Sequence, residues 1–336
     1  MRDYELEVLE QYDMEAESTR KIRGAFFIDT KEGTMLLQEA KISDRRALLL
    51  YMMQCHLETE GYPDIDTLMF TKEHKLVSTA KDGTRYVLKK WFPGRECDVR
   101  RESDVLESCT NLARIHRKMC WQDVCGMEEK TEIRPPAGRH LKEEFLCHNR
   151  EMKKVRTFIR KRVTKGRFEY LFLEHFEQMY KLAQQVTEQL ESSQYESLYQ
   201  ESIEKKQMIH GDYNYHNVIM QSRGIATTNF EHFRIDVQAQ DLYYFLRKVM
   251  EKHHWKEPLG DAMLEAYNKK KTLQSRELEY IALKLAYPEK FWKTANAYYH
   301  SNKAWMPEKN VEKLLLSVTQ TEEKMRFLKK IFSFHL

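Results

Sequence analysis

The chain has 336 residues, 41% of them hydrophobic and 32% charged, which is long enough for two domains or lobes and for a core that needs no disulfide staples. Its 56 basic and 52 acidic residues leave a net charge of +4, a balance that favours no partner class and argues against nucleic acid. The 16 Phe, 18 Tyr and 5 Trp exclude disorder, and only 11 Gly and 7 Pro speak against all-β or low-complexity architectures.

The start, Met1-Arg2-Asp3-Tyr4-Glu5-Leu6-Glu7, is acidic and lacks the apolar stretch of a signal peptide. Residues 4–13 read as a short helix. Two strands are predicted over 18–30 and 34–41, joined by a turn at Lys31-Glu32-Gly33. Ser43-Asp44 can cap a helix that runs to about Glu60, with Gly61 as its stop. That helix holds the longest apolar run, Ala47 to Met53, far short of the ~18 residues of a membrane span. Three more strands are expected over 67–91, with a hairpin signal at Lys81-Asp82-Gly83. The first 90 or so residues thus read as five strands and one helix.

Beyond Trp91-Phe92-Pro93-Gly94 the pattern turns helical. Val105, Leu106, Cys109, Leu112, Ala113 and Ile115 have helical spacing within 98–119. Residues 126–142, centred on Pro135-Pro136-Ala137-Gly138, read as a loop. Helices are predicted over 142–164, 168–192, 194–206, 238–252, 258–269, 275–285, 288–301 and 308–333, with small strands near 218–221 and 225–230. Strands first and helices second argue an α+β chain: an N-lobe over 1–92 and a helical C-lobe over 93–336.

Cys55, Cys97, Cys109, Cys120, Cys125 and Cys147 form no CxxC pair and complete no zinc spacing, so mostly buried, reduced thiols are expected. His210 and His216 are six apart, a spacing that suits neither a helix face nor a strand face for a metal pair. Residues 153–167 carry Lys153, Lys154, Arg156, Arg160, Lys161, Arg162, Lys165 and Arg167 with no acid among them. A solvated helix face is the simplest account, and an anion- or RNA-binding face the sharper one.

The stretch that carries chemistry lies within 208–220: His210-Gly211-Asp212-Tyr213-Asn214-Tyr215-His216-Asn217, or His-x-Asp-x4-Asn, between a helix and a short apolar strand. Phosphoryl transfer uses these types at this spacing. An Asp orients the attacking hydroxyl and accepts its proton, and an Asn five residues on turns back to hold Mg²⁺ on the phosphates. The His suits bracing the loop.

This motif resembles the aminoglycoside phosphotransferase and choline kinase branch of the protein-kinase-like fold. Within that branch the chain is most similar to the spore coat protein S family of kinase-like proteins. The likeness extends to Leu112-Ala113-Arg114-Ile115-His116, to Asp241-Leu242-Tyr243-Tyr244-Phe245-Leu246-Arg247-Lys248-Val249, and to Pro288-Glu289-Lys290-Phe291-Trp292-Lys293. It continues through Tyr298-Tyr299-His300 and Lys303-Ala304-Trp305. The resemblance implies a two-lobed α+β fold with ATP and Mg²⁺ as cofactors. It implies Asp212 as catalytic base, Asn217 as first metal ligand, His210 as a loop brace and Asp241 as a brace for the same loop. Adenine would meet the backbone near Lys89, Lys90 and Trp91.

The departures from that pattern are chemical. Asn229, in Thr227-Thr228-Asn229-Phe230-Glu231, stands where a second, anionic metal ligand belongs, and a neutral amide removes a full charge from the metal's ligation. Gln38 falls at the position of the phosphate-binding Lys, with Lys41 nearby on another turn of the strand. The helix over 44–60 has no acid in its centre to pair with such a Lys, and the first hairpin lacks a Gly-rich phosphate loop. The expectation is a degenerate kinase, or pseudokinase, with a structural or assembly role among other spore coat proteins. The family likeness implies assembly in the mother-cell cytoplasm and then residence in the coat. The alternative is a live phosphotransferase acting on a small-molecule or protein hydroxyl through Asp212.

Overall fold

A computed structural model describes residues 4–22, 24–121, 124, 134–301 and 307–336. Cys125, residues 126–133 of the expected loop, and Lys303, Ala304 and Trp305 lie outside them. The chain packs as two units.

The first unit comprises Met1–Ala137, Ser202–Asp241 and Ala266–Lys271. A 3₁₀ helix over Tyr4–Gln11 opens it, followed by strands β1 (Ser18–Ile22), β2 (Ala25–Thr30) and β3 (Gly33–Glu39). The single strand predicted over 18–30 is therefore two. The chain turns at Gly24, whose φ of +85° is open to glycine and strained for other residues. Helix α1 (Asp44–Thr59) follows, with the Ser43 side chain accepting the Arg46 amide as its N-cap. Only β4 (Ser78–Thr79) and β5 (Arg85–Lys90) form within the span where three strands were predicted. Five strands still result, in the antiparallel order β1-β2-β3-β5-β4.

Period-2 alternation gives this sheet two buried faces. Phe26, Ile28, Met35, Leu37, Tyr86 and Leu88 pack on Val8 and Tyr12 from the opening segment. The other face carries Leu36, Gln38, Val87 and Lys89, because β3 and β5 pair Leu36 with Lys89 and Gln38 with Val87. Leu36, Val87 and Lys89 on that face are also buried.

Short strand β6 (Arg95–Glu96) and helix α2 (Glu102–His116) come next. Past α3 (Leu141–Lys161), α4 (Arg167–Ser192) and α5 (Tyr195–Glu204), the chain forms β7 (Met208–Ile209), β8 (Val218–Met220), β9 (Ile225–Thr227) and β10 (Arg234–Ile235). The pairs β10–β7 and β6–β8–β9 frame the loop at 210–217. The two-residue strands β6, β7 and β10 are too short to carry a periodicity and were not predicted.

The second unit is helical: Gly138–Glu201, Leu242–Glu265 and Thr272–Leu336. With α3 and α4 it holds most of α6 (Ala239–Met250) and α7 (Glu257–Asn268), then α8 (Ser275–Ala286), α9 (Glu289–Tyr299), α10 (Glu308–Thr319) and α11 (Thr321–Phe332). The one helix predicted over 308–333 breaks at Gln320. Aromatic stacking ties α9 and its N-terminal approach to α3 and α4: Phe145 on Tyr287 at 4.0 Å, His148 on Trp292 at 3.4 Å, and Phe172 on Phe291 at 5.2 Å. At the start of α9, Glu289 accepts from Tyr243 and lies 3.6 Å from Arg247. Burial alone would raise the Glu289 carboxyl; Arg247 and Lys284 outweigh it and hold the group at about 2.

In the basic stretch Val155 and Ile159 are buried, while Phe158 stays 42% exposed. Arg156 pairs with Glu177, Arg162 with Glu169 and Arg167 with Glu308. Of the five cysteines described, Cys97 and Cys109 are buried, and Cys55, Cys120 and Cys147 are half-buried. Burial pushes the Cys97 thiol up to about 11. No helix among the described residues is long and apolar enough to cross a membrane.

Candidate active site

The loop 210–217 is built from its backbone outward. At its entrance the Asp241 carboxylate takes two successive amides: Oδ2 accepts His210 N–H at 2.6 Å and Oδ1 accepts Gly211 N–H at 2.9 Å. Asp241 is itself held by His116 Nε2 at 3.1 Å, and His116 Nδ1 meets the Tyr267 hydroxyl at 2.8 Å. Burial would raise the Asp241 carboxyl, but His116, His210 and the amide bonds outweigh it and lower its pKa.

His210 is fully buried. Its Nδ1 accepts the Asp212 amide at 3.1 Å, so its Nε2 must carry the proton it gives to the Thr228 carbonyl at 3.0 Å. Those two bonds demand the neutral ring, and burial lowers its pKa accordingly.

Asp212 is half-exposed. Asn214 Nδ2 donates to its Oδ1 at 3.0 Å, and Asn217 Nδ2 donates to its Oδ2 at 3.1 Å. The end of the β8–β9 hairpin meets this loop directly, because Thr228 N–H donates to the Asn217 carbonyl at 3.0 Å. One residue later Asn229 adopts a left-handed conformation with φ of 63°. That turn aims its side chain back at the loop, where its Nδ2 donates to Asn217 Oδ1 at 2.9 Å.

Two residues that sequence reasoning did not single out for this role complete the cluster. The side chain of Lys89, expected to matter through its backbone, is 2% exposed, and Asp66 is 1% exposed. Lys89 Nζ lies 2.8 Å from Asp66 Oδ2, 2.9 Å from Asn229 Oδ1 and 3.6 Å from Glu231 Oε1. Asp66 Oδ2 also accepts the Asn229 amide at 2.8 Å. A buried lysine–acid pair is thus present, but it comes from β5 and the segment after α1. The signal for Lys89 was its place on the Val87 face of β5. For Asp66, in Pro63-Asp64-Ile65-Asp66-Thr67, there was none.

The remaining candidates divide. Gln38 Nε2 donates to Glu231 Oε1 at 2.7 Å, so β3 reaches the cluster through an amide. Arg46 of α1 donates to the Glu231 carbonyl at 2.9 Å. Burial and the nearby Arg234 charge lower its guanidinium to about 10. Lys41 lies exposed beyond the end of β3 and is not brought in. Lys90 pairs with Glu58 at 2.7 Å. The Lys90 amide donates to Thr67 O at 3.0 Å and the Trp91 amide to Thr34 O at 2.9 Å, so neither N–H is free to meet an adenine. His216 is exposed and pairs with Glu96.

Asn217 and Asn229, the pair that would hold Mg²⁺, do not fit a divalent cation in this arrangement. Neither brings charge, and each amide oxygen already accepts a hydrogen bond, from Asn229 and Lys89 respectively. Among the described residues no group of three or more His, Cys, Asp or Glu side chains is placed to hold a metal.

Comparison with solved structures shows the fold. An aminoglycoside phosphotransferase from Alicyclobacillus acidocaldarius superposes with a TM-score of 0.82 at 15% identity, covering 98% of this chain and 95% of that one. Spectinomycin phosphotransferase APH(9)-Ia, in complex with ADP and spectinomycin, matches at TM-score 0.64 and 10% identity, covering 95% and 97%. Amicoumacin kinase hAmiN, in complex with AMP-PNP, Ca²⁺ and Ami, matches at 0.56 and 12%, covering 98% and 92%. In sequence the chain is 23% identical to spore coat protein S of Bacillus subtilis (strain 168) over 316 residues, 94% of this chain and 88% of that protein. Residues 5–331 match the model of one protein family, so the chain belongs to the kinase-like spore coat family described as "Spore coat putative kinase YutH".

Proposed function

We propose that this protein is a kinase-like component of the spore coat that has lost efficient phosphoryl transfer and acts in the structure or assembly of the coat. One observation supports this most: the positions that should supply charge to metal and phosphate are neutral or already bonded within the cluster. Asn229 brings no charge, Gln38 stands in the lysine position and bonds to Glu231, and the cluster's lysine is locked to buried Asp66. Loss of one charged metal ligand removes several kcal/mol of transition-state stabilisation, about 10³-fold or more in rate. The relatedness to spore coat protein S supports other coat proteins as partners and the mother cell, then the coat, as the location. The 92/93 division into N-lobe and C-lobe belongs to the same reading.

The site geometry also favours a second reading. Asp212 keeps a half-exposed carboxylate oriented by Asn214 and Asn217, as a general base needs. In that reading the acceptor hydroxyl attacks the γ-phosphorus of ATP, the bond from that phosphorus to the β,γ-bridging oxygen breaks, ADP leaves with that oxygen, and the hydroxyl proton passes to Asp212. The test is phosphate transfer and ATP turnover by the purified full chain, alongside an Asp212→Ala allele in the spore-former. We expect no turnover that depends on Asp212, and coats that assemble normally in the allele. Turnover that Asp212→Ala abolishes would install the second reading.

A further inference from the structure

We propose that the Lys89 ammonium is the resident cation of this site, a tethered positive charge standing where the kinase-like fold would place a divalent ion. The inference rests on the reading of 210–231 as a kinase-derived site.

Four side chains form one directed chain of hydrogen bonds. Lys89 Nζ donates to Asn229 Oδ1 at 2.9 Å, and Asn229 Nδ2 donates to Asn217 Oδ1 at 2.9 Å. Asn217 Nδ2 then donates to Asp212 Oδ2 at 3.1 Å. The ends set the direction. An ammonium only donates and a carboxylate only accepts, so each amide must turn its oxygen toward Lys89 and its nitrogen toward Asp212. Each amide oxygen thereby points at a donor of the cluster and spends one of its two acceptor positions on it. A divalent cation held by Asn217 and Asn229 would have to displace the ammonium and break the order of the chain. The ammonium is not free to leave, because its other contacts are the carboxylates of Asp66 at 2.8 Å and Glu231 at 3.6 Å. Lys89 and Asp66 are both buried, so separating them would leave two uncompensated charges in the interior. An ammonium among carboxylate and amide oxygens supplies one of the two positive charges a divalent metal would bring and needs no metal from solution.

The arrangement also explains the neutral residue at 229. With Lys89 present, an amide there can both accept from the ammonium and donate onward to Asn217. A carboxylate could accept but could not pass a hydrogen bond on.

The test is direct binding of Mn²⁺, read by electron paramagnetic resonance, to the full chain without nucleotide. The wild type should bind no Mn²⁺ at this site at millimolar concentration, and its melting temperature should be the same in EDTA and in Mg²⁺. Combining Lys89→Met with Asn229→Asp removes the ammonium and restores the carboxylate. That variant should melt several degrees lower in EDTA. It should bind Mn²⁺ at least about tenfold more tightly than wild type and recover stability on binding it. Should it fail to fold, Lys89→Gln with Asn229→Asp keeps a polar group at 89 and serves the same comparison. Wild-type Mn²⁺ binding that Asn217→Ala abolishes would overturn the assignment. So would a folded double variant that binds no better than wild type. Those results leave the proposed function standing. Asp212-dependent turnover without Mn²⁺ binding would do the reverse.

Discussion

His210 and Asp241 show how much of this loop is fixed by single protonation states. The neutral ring of His210 accepts the Asp212 amide and donates to Thr228 O, so protonating it would turn the acceptor into a donor facing an N–H. Asp241 accepts two backbone amides and a His116 nitrogen. An asparagine there would face one of those amides with its own NH₂. Asp241→Asn should therefore cost about 3 kcal/mol or more in a urea unfolding experiment, the range for breaking a buried, bonded charge. A cost below about 1 kcal/mol would mean that Asp241 does not hold the loop. Asp212→Ala should be mild by comparison, because Asn217 Nδ2 keeps a bond to the Asp212 backbone carbonyl at 2.8 Å.

At the scale of elements, two glycines with nearly the same backbone make different demands. Gly24, at the β1–β2 turn with φ of +85°, would meet nothing within 4 Å if it carried a Cβ. Gly211, with φ of +83° between β7 and Asp212, would place a Cβ 2.2 Å from the His232 carbonyl oxygen. Gly24→Ala should cost only the left-handed penalty of about 1–2 kcal/mol. Gly211→Ala adds a collision with backbone that cannot rotate away, so its cost should exceed that of Gly24→Ala by about 2 kcal/mol or more. Equal melting temperatures for the two variants would contradict the close packing of the loop on 230–234. The same scale explains the wrong strand count within 18–30. Thr19, Arg20, Lys21 and Ile22 are all exposed in β1, so no alternation of apolar residues marks where it ends and β2 begins.

Across the whole molecule, pH should act through buried histidines in each unit. Burial lowers the pKa of His210, faced by Asp241, Asp212 and Asp66, and that of His148, faced by Glu144, Glu289, Glu151 and Lys284. Both start from the ordinary value of 6.5. Stability from these groups is complete above that pH, because folded and unfolded chains are then both neutral there. Below it the unfolded chain takes up protons that the folded chain refuses, so stability is lost as pH falls toward the depressed values. Asp241, also lowered, adds a second loss that begins as pH falls through its ordinary 3.8 and continues toward the depressed value. The urea midpoint should thus fall between pH 7.5 and pH 5. A flat profile would show that neither histidine is held neutral.

The molecule also separates what residues announce from what folding decides. Local pattern was enough for α1, for the helices from α2 to α9, and for the segments that form β3 and β5, because hydrophobic period and turn residues act over a few neighbours; that β3 and β5 pair was decided by folding. The motif at 210–217 was legible for a similar reason: spacing along one loop is a local property, and it carried the family with it. Trp91, Lys90 and Lys41 could be named from their place in the chain, but whether their amides or charges were free depended on strands arriving from elsewhere. Asp66 and Lys89 were decided only by tertiary structure. They are 23 positions apart, each looks like an ordinary polar residue of a strand or loop, and burial beside Asn229 alone gives their pairing its strength.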